Sequence, residues 1–189
     1  MRKHAVLMRP LKVIGCVCFG ILAALSLLWW GCGPHKPSDA TLESRFKKQR
    51  PVLEHVVMMS DEDPQMSRIA DDFLWKQDNF AWPRPQSEWG ISERRWDEYR
   101  KIFKRADIDD GVSRQGDDVK VLVWSWGIVP AGASISYLHC GSPPKESIFR
   151  DPACVERKET GTGMYGQSSS FGYRYKKLTD EWYVLEEFN

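Results

Sequence analysis

The chain has 189 residues, and its 27 Lys and Arg side chains almost balance its 26 Asp and Glu side chains. Four basic residues, Arg2, Lys3, Arg9 and Lys12, precede an apolar segment, and the rest of the chain carries 23 basic against 26 acidic side chains. A nucleic-acid-binding surface needs an excess of basic side chains to neutralise phosphates, so this balance excludes nucleic acid as a partner. About 155 residues follow the apolar segment, which is the size of one domain.

The apolar segment runs from Val13 to Pro34 without a charged side chain. About 21 consecutive residues of this kind are enough to cross a bilayer as a helix. A buried core helix of that length would have a polar face, and this one has none. Because basic residues precede it, we predict a signal peptide or signal anchor over residues 1–32, a linker over 33–40 and a single soluble domain over 41–189.

The end of the segment resembles a bacterial lipobox, in which a small residue precedes a cysteine that receives lipid. Gly31 and Cys32 fit this pattern. Trp29 and Trp30 depart from it, and their rings suit the outer headgroup level of an uncleaved anchor. Two alternatives stay open: lipidation of Cys32 after cleavage, or an uncleaved transmembrane helix. Both predict membrane lipid as a partner and a domain outside the cytoplasm.

Two cysteines, Cys140 and Cys154, fall in the predicted domain, an even number that suits an oxidising compartment. A disulfide between them would close a loop of about 15 residues and stabilise the fold by roughly 3 kcal/mol. The alternative is two buried, reduced thiols. With only His55 and His139 to complement them, and no CxxC spacing, these cysteines do not make a zinc site, and we expect no metal.

Helical signals dominate the first half of the domain. Ser38 is placed to cap a helix that Pro51 either kinks or divides in two. Pro64 opens a short predicted helix in DEDPQMSRIADDF, with its apolar side at Met66, Ile69 and Phe73. Ser92 caps the clearest helix, SERRWDEYRKIFKRA, whose apolar stripe is Trp96, Tyr99, Phe103 and Ala106.

Strand signals dominate the second half. The alternation from Val119 to Trp126 predicts a strand that is buried on nearly both faces, and ASISYLH predicts a second one. Residues 140–170 are rich in Pro, Gly and Ser and predict a long loop. FGYRYKKL and EWYVLEEF, separated by Thr179 and Asp180, predict a hairpin. Helices followed by a small antiparallel sheet make an α+β domain.

Aromatic side chains cluster around the loop 80–89, where Trp82 and Trp89 follow Trp75 among several prolines. Sugars and partner proteins both stack on such rings, because aromatic side chains offer a large contact area at little entropic cost. This pattern makes the three tryptophans a candidate binding surface. The alternative is that they pack the helices onto the sheet.

Three further sequence patterns resemble ligand-binding or catalytic motifs but do not predict such sites. Gly161, Gly163 and Gly166 spell GxGxxG, but the strand before and the helix after that a dinucleotide site needs are missing, so we predict a mobile loop. The acidic run from Asp107 to Asp118 has a valine where an EF-hand needs its glycine and reads as a solvated turn. His139 and Cys140 are adjacent and point to opposite faces of a strand, which prevents proton transfer between them. We therefore expect no enzyme and no cofactor.

Four stretches together carry a likeness to known proteins: ISERRWDEYRKIF, DGVSR, the strand pair ending in SISY, and GYRYKKLTDEWYVL. In these stretches the chain resembles a group of small, uncharacterised bacterial envelope lipoproteins. The resemblance implies lipidation of Cys32, because the group has a Gly-Cys pair at the end of the apolar run.

These observations predict a membrane-tethered protein of the bacterial cell envelope, with its domain in the periplasm. We expect it to bind another envelope protein without catalysis. The alternative is a binder or hydrolase of cell-wall glycan that uses the loop 80–89.

Overall fold

A computed structural model describes residues 35–76, 90–128, 131–141, 151–164 and 171–188. The chain divides into two units, Met1–Lys36 and Pro37–Asn189, and nearly all described residues belong to the second. Within the described ranges, no helix is both long enough and apolar enough to span a bilayer. The predicted membrane segment and Cys32 lie outside these ranges.

Three helices and eight strands occupy the described residues. The helices are α1 (Asp39–Glu62), α2 (Glu93–Ala106) and α3 (Pro152–Glu156). The strands are β1 (Met66–Ile69), β2 (Leu74–Lys76), β3 (Val112–Gln115), β4 (Asp118–Ile128), β5 (Ala131–His139), β6 (Thr160–Met164), β7 (Gly172–Lys177) and β8 (Trp182–Phe188). They form one sheet in the order β2-β1-β3-β4-β5-β8-β7-β6, with antiparallel neighbours throughout. The α+β class is therefore as predicted.

Both long helices begin at the predicted caps. The Ser38 side chain accepts a hydrogen bond from the Thr41 amide, and the Ser92 side chain accepts one from the Arg95 amide, each at 3.2 Å. These bonds satisfy amides that have no partner inside the helix. Pro51 lies within α1 on its exposed side, so the first of the two alternatives, one long helix, is the one observed.

The helices cover one face of the sheet. Leu42 and Phe46 of α1 and Phe103 of α2 are buried in the main core together with Tyr137 of β5 and Trp182 of β8. A smaller core lies on the opposite face, under α3, and contains the following side chains: Leu138, Cys140, Ala153, Cys154, Tyr173, Tyr175, Tyr183 and Leu185. The sheet is therefore buried on both faces along β5 and β8.

Three predictions from the sequence are wrong. The helix expected after Pro64 is instead the strand pair β1 and β2, because Ile69 pairs with Leu74 on one side and with Val112 on the other. Sheet pairing over long sequence separations outweighs the local helical pattern here. The long loop expected over 140–170 contains α3 and β6, and Gly161 and Gly163 lie in that strand rather than in a mobile loop.

Candidate functional site

The strand β6 is the last strand of the sheet at one edge. Its sequence, Thr-Gly-Thr-Gly-Met, has no charged side chain and no proline. Natural proteins usually protect such edges with charges, prolines or bulges, because an edge strand offers unpaired main-chain groups to any incoming strand. The pairing of β6 with β7 is regular over all five residues, so no bulge turns this edge away.

Two glycines in β6 make room for tyrosine rings. A Cβ atom at Gly161 would overlap the Tyr175 ring, and one at Gly163 would overlap the Tyr173 ring. The rings therefore lie across the strand and cover its backbone on the α3 side, a known way to support glycines in an edge strand. This packing accounts for two of the three glycines of GxGxxG without a nucleotide, and the third lies outside the described residues.

The hydrogen-bond pattern shows which main-chain groups of β6 point outward. The Lys177 amide donates to the Glu159 carbonyl at 2.7 Å, which makes these two residues a hydrogen-bonded pair. Such pairs alternate along antiparallel strands, so Gly161 and Gly163 bond inward to β7. The amide and carbonyl groups of Thr160, Thr162 and Met164 consequently face outward from the sheet.

A groove of about 400 Å³ lies beside this edge on the α1 side. It is lined by Asp39 of α1, by Thr160, Gly161 and Thr162 of β6, and by Arg174, Tyr175 and Lys176 of β7. The Thr160 and Thr162 side chains are exposed, as is the side chain of Met164 at the end of the strand.

The groove carries paired charges. Arg174 contacts Glu186 at 2.9 Å and Asp39 at 3.3 Å, and Lys176 contacts Glu43 at 2.6 Å. Burial lowers the pKa of Arg174, but its bonds to Glu186 and Asp39 outweigh that effect and raise the pKa above its ordinary value. The hydrogen bond to Glu43 raises the pKa of Lys176. Both cations stay charged at neutral pH and attach the start of α1 to β7.

The opposite edge of the sheet is better protected. β2 has only three residues, ends in Lys76, and pairs with β1 through a bulge between Met66 and Arg68. Trp75 lies in this strand, 36% exposed. Its ring packs on Phe73 at 5.1 Å and under the Arg68 guanidinium at 5.3 Å. The structure therefore places this member of the predicted tryptophan surface far from β6, and Trp82 and Trp89 lie outside the described residues.

The two domain cysteines are brought together. Cys140 and Cys154 form a disulfide with an S–S distance of 2.05 Å, which joins the end of β5 to α3. Their sulfur atoms lie within 4.8 Å of a carboxylate oxygen of Asp118. The disulfide leaves no thiolate for a metal, and Asp118 accepts hydrogen bonds from the amides of Gly141 and Asp151. This cluster fastens α3 to the sheet rather than forming a metal centre.

His139 and the acidic turn have structural partners. The His139 ring packs on Trp182 at 4.9 Å, and burial lowers its pKa, while its neighbour Cys140 is held in the disulfide. In the turn, Arg45 binds Asp107 at 3.1 Å and Arg68 binds Asp110 at 3.5 Å. These contacts hold Asp107 and Asp110 in ion pairs that join the turn to α1 and β1. The solvated turn predicted for the whole acidic run is wrong for Asp118, which begins β4 and is buried.

β6 lies in a stretch that the composition predicts to be a loop, although its Thr-Gly-Thr-Gly alternation is a period-two signal typical of a short strand. No protein-family model matches the chain, and no curated protein or solved structure shows significant similarity to it. The chemistry of the site is that of main-chain hydrogen bonding beside a groove of paired charges.

Proposed function

We propose that this chain is a membrane-tethered, non-enzymatic protein of the bacterial cell envelope whose domain binds another envelope protein by adding a partner strand to β6. The observation that carries the proposal is the uncharged edge of β6, with the amides and carbonyls of Thr160, Thr162 and Met164 directed outward. In strand addition, main-chain hydrogen bonds supply affinity and adjacent side-chain pockets supply selectivity. The groove at Asp39, Arg174 and Lys176 is placed to supply that selectivity.

Replacing Thr162 with Pro tests strand addition directly. Proline removes the outward amide of residue 162 and leaves the inward bonds of Gly161 and Gly163, so the domain is expected to stay folded. Partner binding is expected to weaken by roughly tenfold or more, because one interstrand bond is lost and the partner's carbonyl is left unpaired. The measurement is photocrosslinking in cells from a benzophenone residue at position 160, with the crosslinked protein identified by mass spectrometry.

Thr162→Val is the matched control, since it keeps the amide and the preference for strand conformation. The crosslinked protein is expected to persist in this variant and to be strongly reduced in Thr162→Pro, with similar thermal unfolding midpoints for both. A crosslink of equal yield in the two variants would show that the partner does not bind by strand addition.

The tether is tested by the intact mass of the chain extracted from membranes. The resemblance to envelope lipoproteins and the Gly31-Cys32 pair support a diacylated N-terminal Cys32, with Cys140 and Cys154 unreactive to thiol reagents until reduced. A mass that retains Met1 would support the uncleaved transmembrane anchor instead of lipidation. Recovery of the chain without lipid in the soluble fraction would contradict the tether in either form.

A further inference from the structure

A row of residues without charged or polar side chains crosses five strands of the sheet. Direct cross-strand pairing connects Trp126 of β4, Ala133 of β5, Phe188 of β8, Gly172 of β7 and Met164 of β6. Directly paired residues point to the same face, and Ala133 packs against the core on the α1 side. Yet Trp126 is 58% exposed, Phe188 40% and Met164 60%. The row is therefore a solvent-exposed part of the same sheet face that carries the main core.

The row lies next to the N-terminal end of α1, on the side away from the rest of the helix. The neighbouring row contains Arg174 and Glu186, and Arg174 binds Asp39 at the start of the helix. One step further along β5, the Tyr137 hydroxyl donates to the Leu42 carbonyl at 2.8 Å. The helix therefore starts next to the apolar row and runs away from it, and the chain enters the domain at that same end.

We propose that this apolar row docks on the lipid surface of the membrane to which the chain is tethered. The inference rests on the proposed tether. Only six residues, 33–38, separate Cys32 from α1, and they reach at most about 20 Å when fully extended. An anchored domain consequently keeps the entry end of α1 within that distance of the lipid, and the row begins beside that end, at β7.

The chemistry of the row matches the membrane interface. Tryptophan is enriched at the headgroup level, where its amphipathic ring meets acyl chains and polar groups together, and the phenylalanine and methionine side chains add apolar area beside it. The two residues that lie between β4 and β5 in the sequence, Val129 and Pro130, carry no charge. The three large side chains expose a few hundred Å². A stable protein interface needs about 800 Å² from each partner, so a lipid surface fits this narrow row better than a second protein.

The test places a photoreactive benzophenone residue at position 126 of the full-length chain, expressed in bacteria and irradiated in isolated membranes. The matched control has the same residue at position 58. Met58 is 61% exposed, almost the same as Trp126, but lies near the far end of α1. The 19 residues from Asp39 to Met58 place it about 29 Å along the helix from the entry end. The readout is the mass of lipid adducts on peptides that contain each position.

Lipid adducts at position 126 in several-fold excess over position 58 would support docking. A chain that fractionates with membranes but gives equal or no lipid adducts at 126 would overturn docking and leave the tether intact. Adducts at 126 to a protein would overturn it too, because five strand spacings, about 24 Å, separate β4 from a partner strand added beyond β6. Absence of the chain from membranes would overturn the tether and docking together.

Discussion

Replacing Lys120 with Met is expected to lower the free energy of unfolding by about 3 kcal/mol at neutral pH, because it leaves a buried carboxylate without its cation. Lys120 contacts Asp151 at 3.1 Å and Glu187 at 2.9 Å, and the Asp151 side chain is only 2% exposed. Asp151 also caps α3 by accepting a hydrogen bond from the Ala153 amide at 3.0 Å. The unpaired charge would therefore loosen the attachment of α3 as well as the ion pair.

The loss is expected to depend on pH in a defined direction. Burial raises the pKa of Asp151 in the folded protein, and the positive charge of Lys120 opposes that rise. Without Lys120 the folded-state pKa rises further. A carboxyl group with a raised folded-state pKa stabilises the protein while it is protonated and loses that contribution as the pH rises through the pKa. The difference between the variant and the original chain should consequently be small in acid and grow toward neutral pH.

Urea unfolding of the full-length chain in detergent at several pH values measures this effect. Lys101→Met, an equivalent change at an exposed position of α2, is the control and is expected to change stability by less than about 0.5 kcal/mol. Adding Asp151→Asn to Lys120→Met should restore part of the loss, since the amide keeps the cap without a charge. A Lys120→Met chain as stable as the Lys101→Met control at neutral pH would show that the ion pair contributes nothing.

Local signals made part of the fold predictable. Ser38 and Ser92 begin helices because a hydroxyl group two or three residues ahead of free amides stabilises the first turn wherever it occurs. The stripe from Trp96 to Ala106 is buried as predicted, because side chains at helical spacing share one face. The terminal hairpin of β7 and β8 formed for a similar reason, as its two alternating runs are separated by a short turn.

Strands whose pairing partners are distant in sequence were not predictable in the same way. β1 pairs with β3, which lies more than 40 residues later in the chain. No residue near Ile69 in the sequence indicates that pairing. β8 inserts between β5 and β7, which moves β6 to the outer edge of the sheet. The exposure of Thr162 and Trp126 follows from that strand order, so the candidate edge and the apolar row could not be located from the sequence alone. The pairing of Cys140 with Cys154 needed only a count of cysteines.

Removing the disulfide by Cys140→Ala with Cys154→Ala is expected to lower the free energy of unfolding by about 3 kcal/mol, the chain-entropy value for a loop of 15 residues. Folding should survive the change, because Arg157 also fastens this region. Its guanidinium donates to the carbonyls of Cys154, Gly141 and Asp180 at 3.0, 2.9 and 3.1 Å. Urea unfolding of the double variant, and of the original chain with and without reductant, measures the loss. Equal stability in all of these samples would contradict a stabilising disulfide.

Combining the disulfide variant with Lys120→Met separates two explanations of the loss. If the disulfide acts only by restricting the unfolded chain, the two losses should add, because the ion pair acts in the folded state. If both act by holding α3 against Tyr173 and Tyr175, the combined loss should be smaller than the sum, since α3 can detach only once. A shortfall of about 1 kcal/mol or more would identify the attachment of α3 as the shared step. Additive losses would instead assign the disulfide to the unfolded state and leave the docking of α3 to Lys120, Asp151 and Arg157.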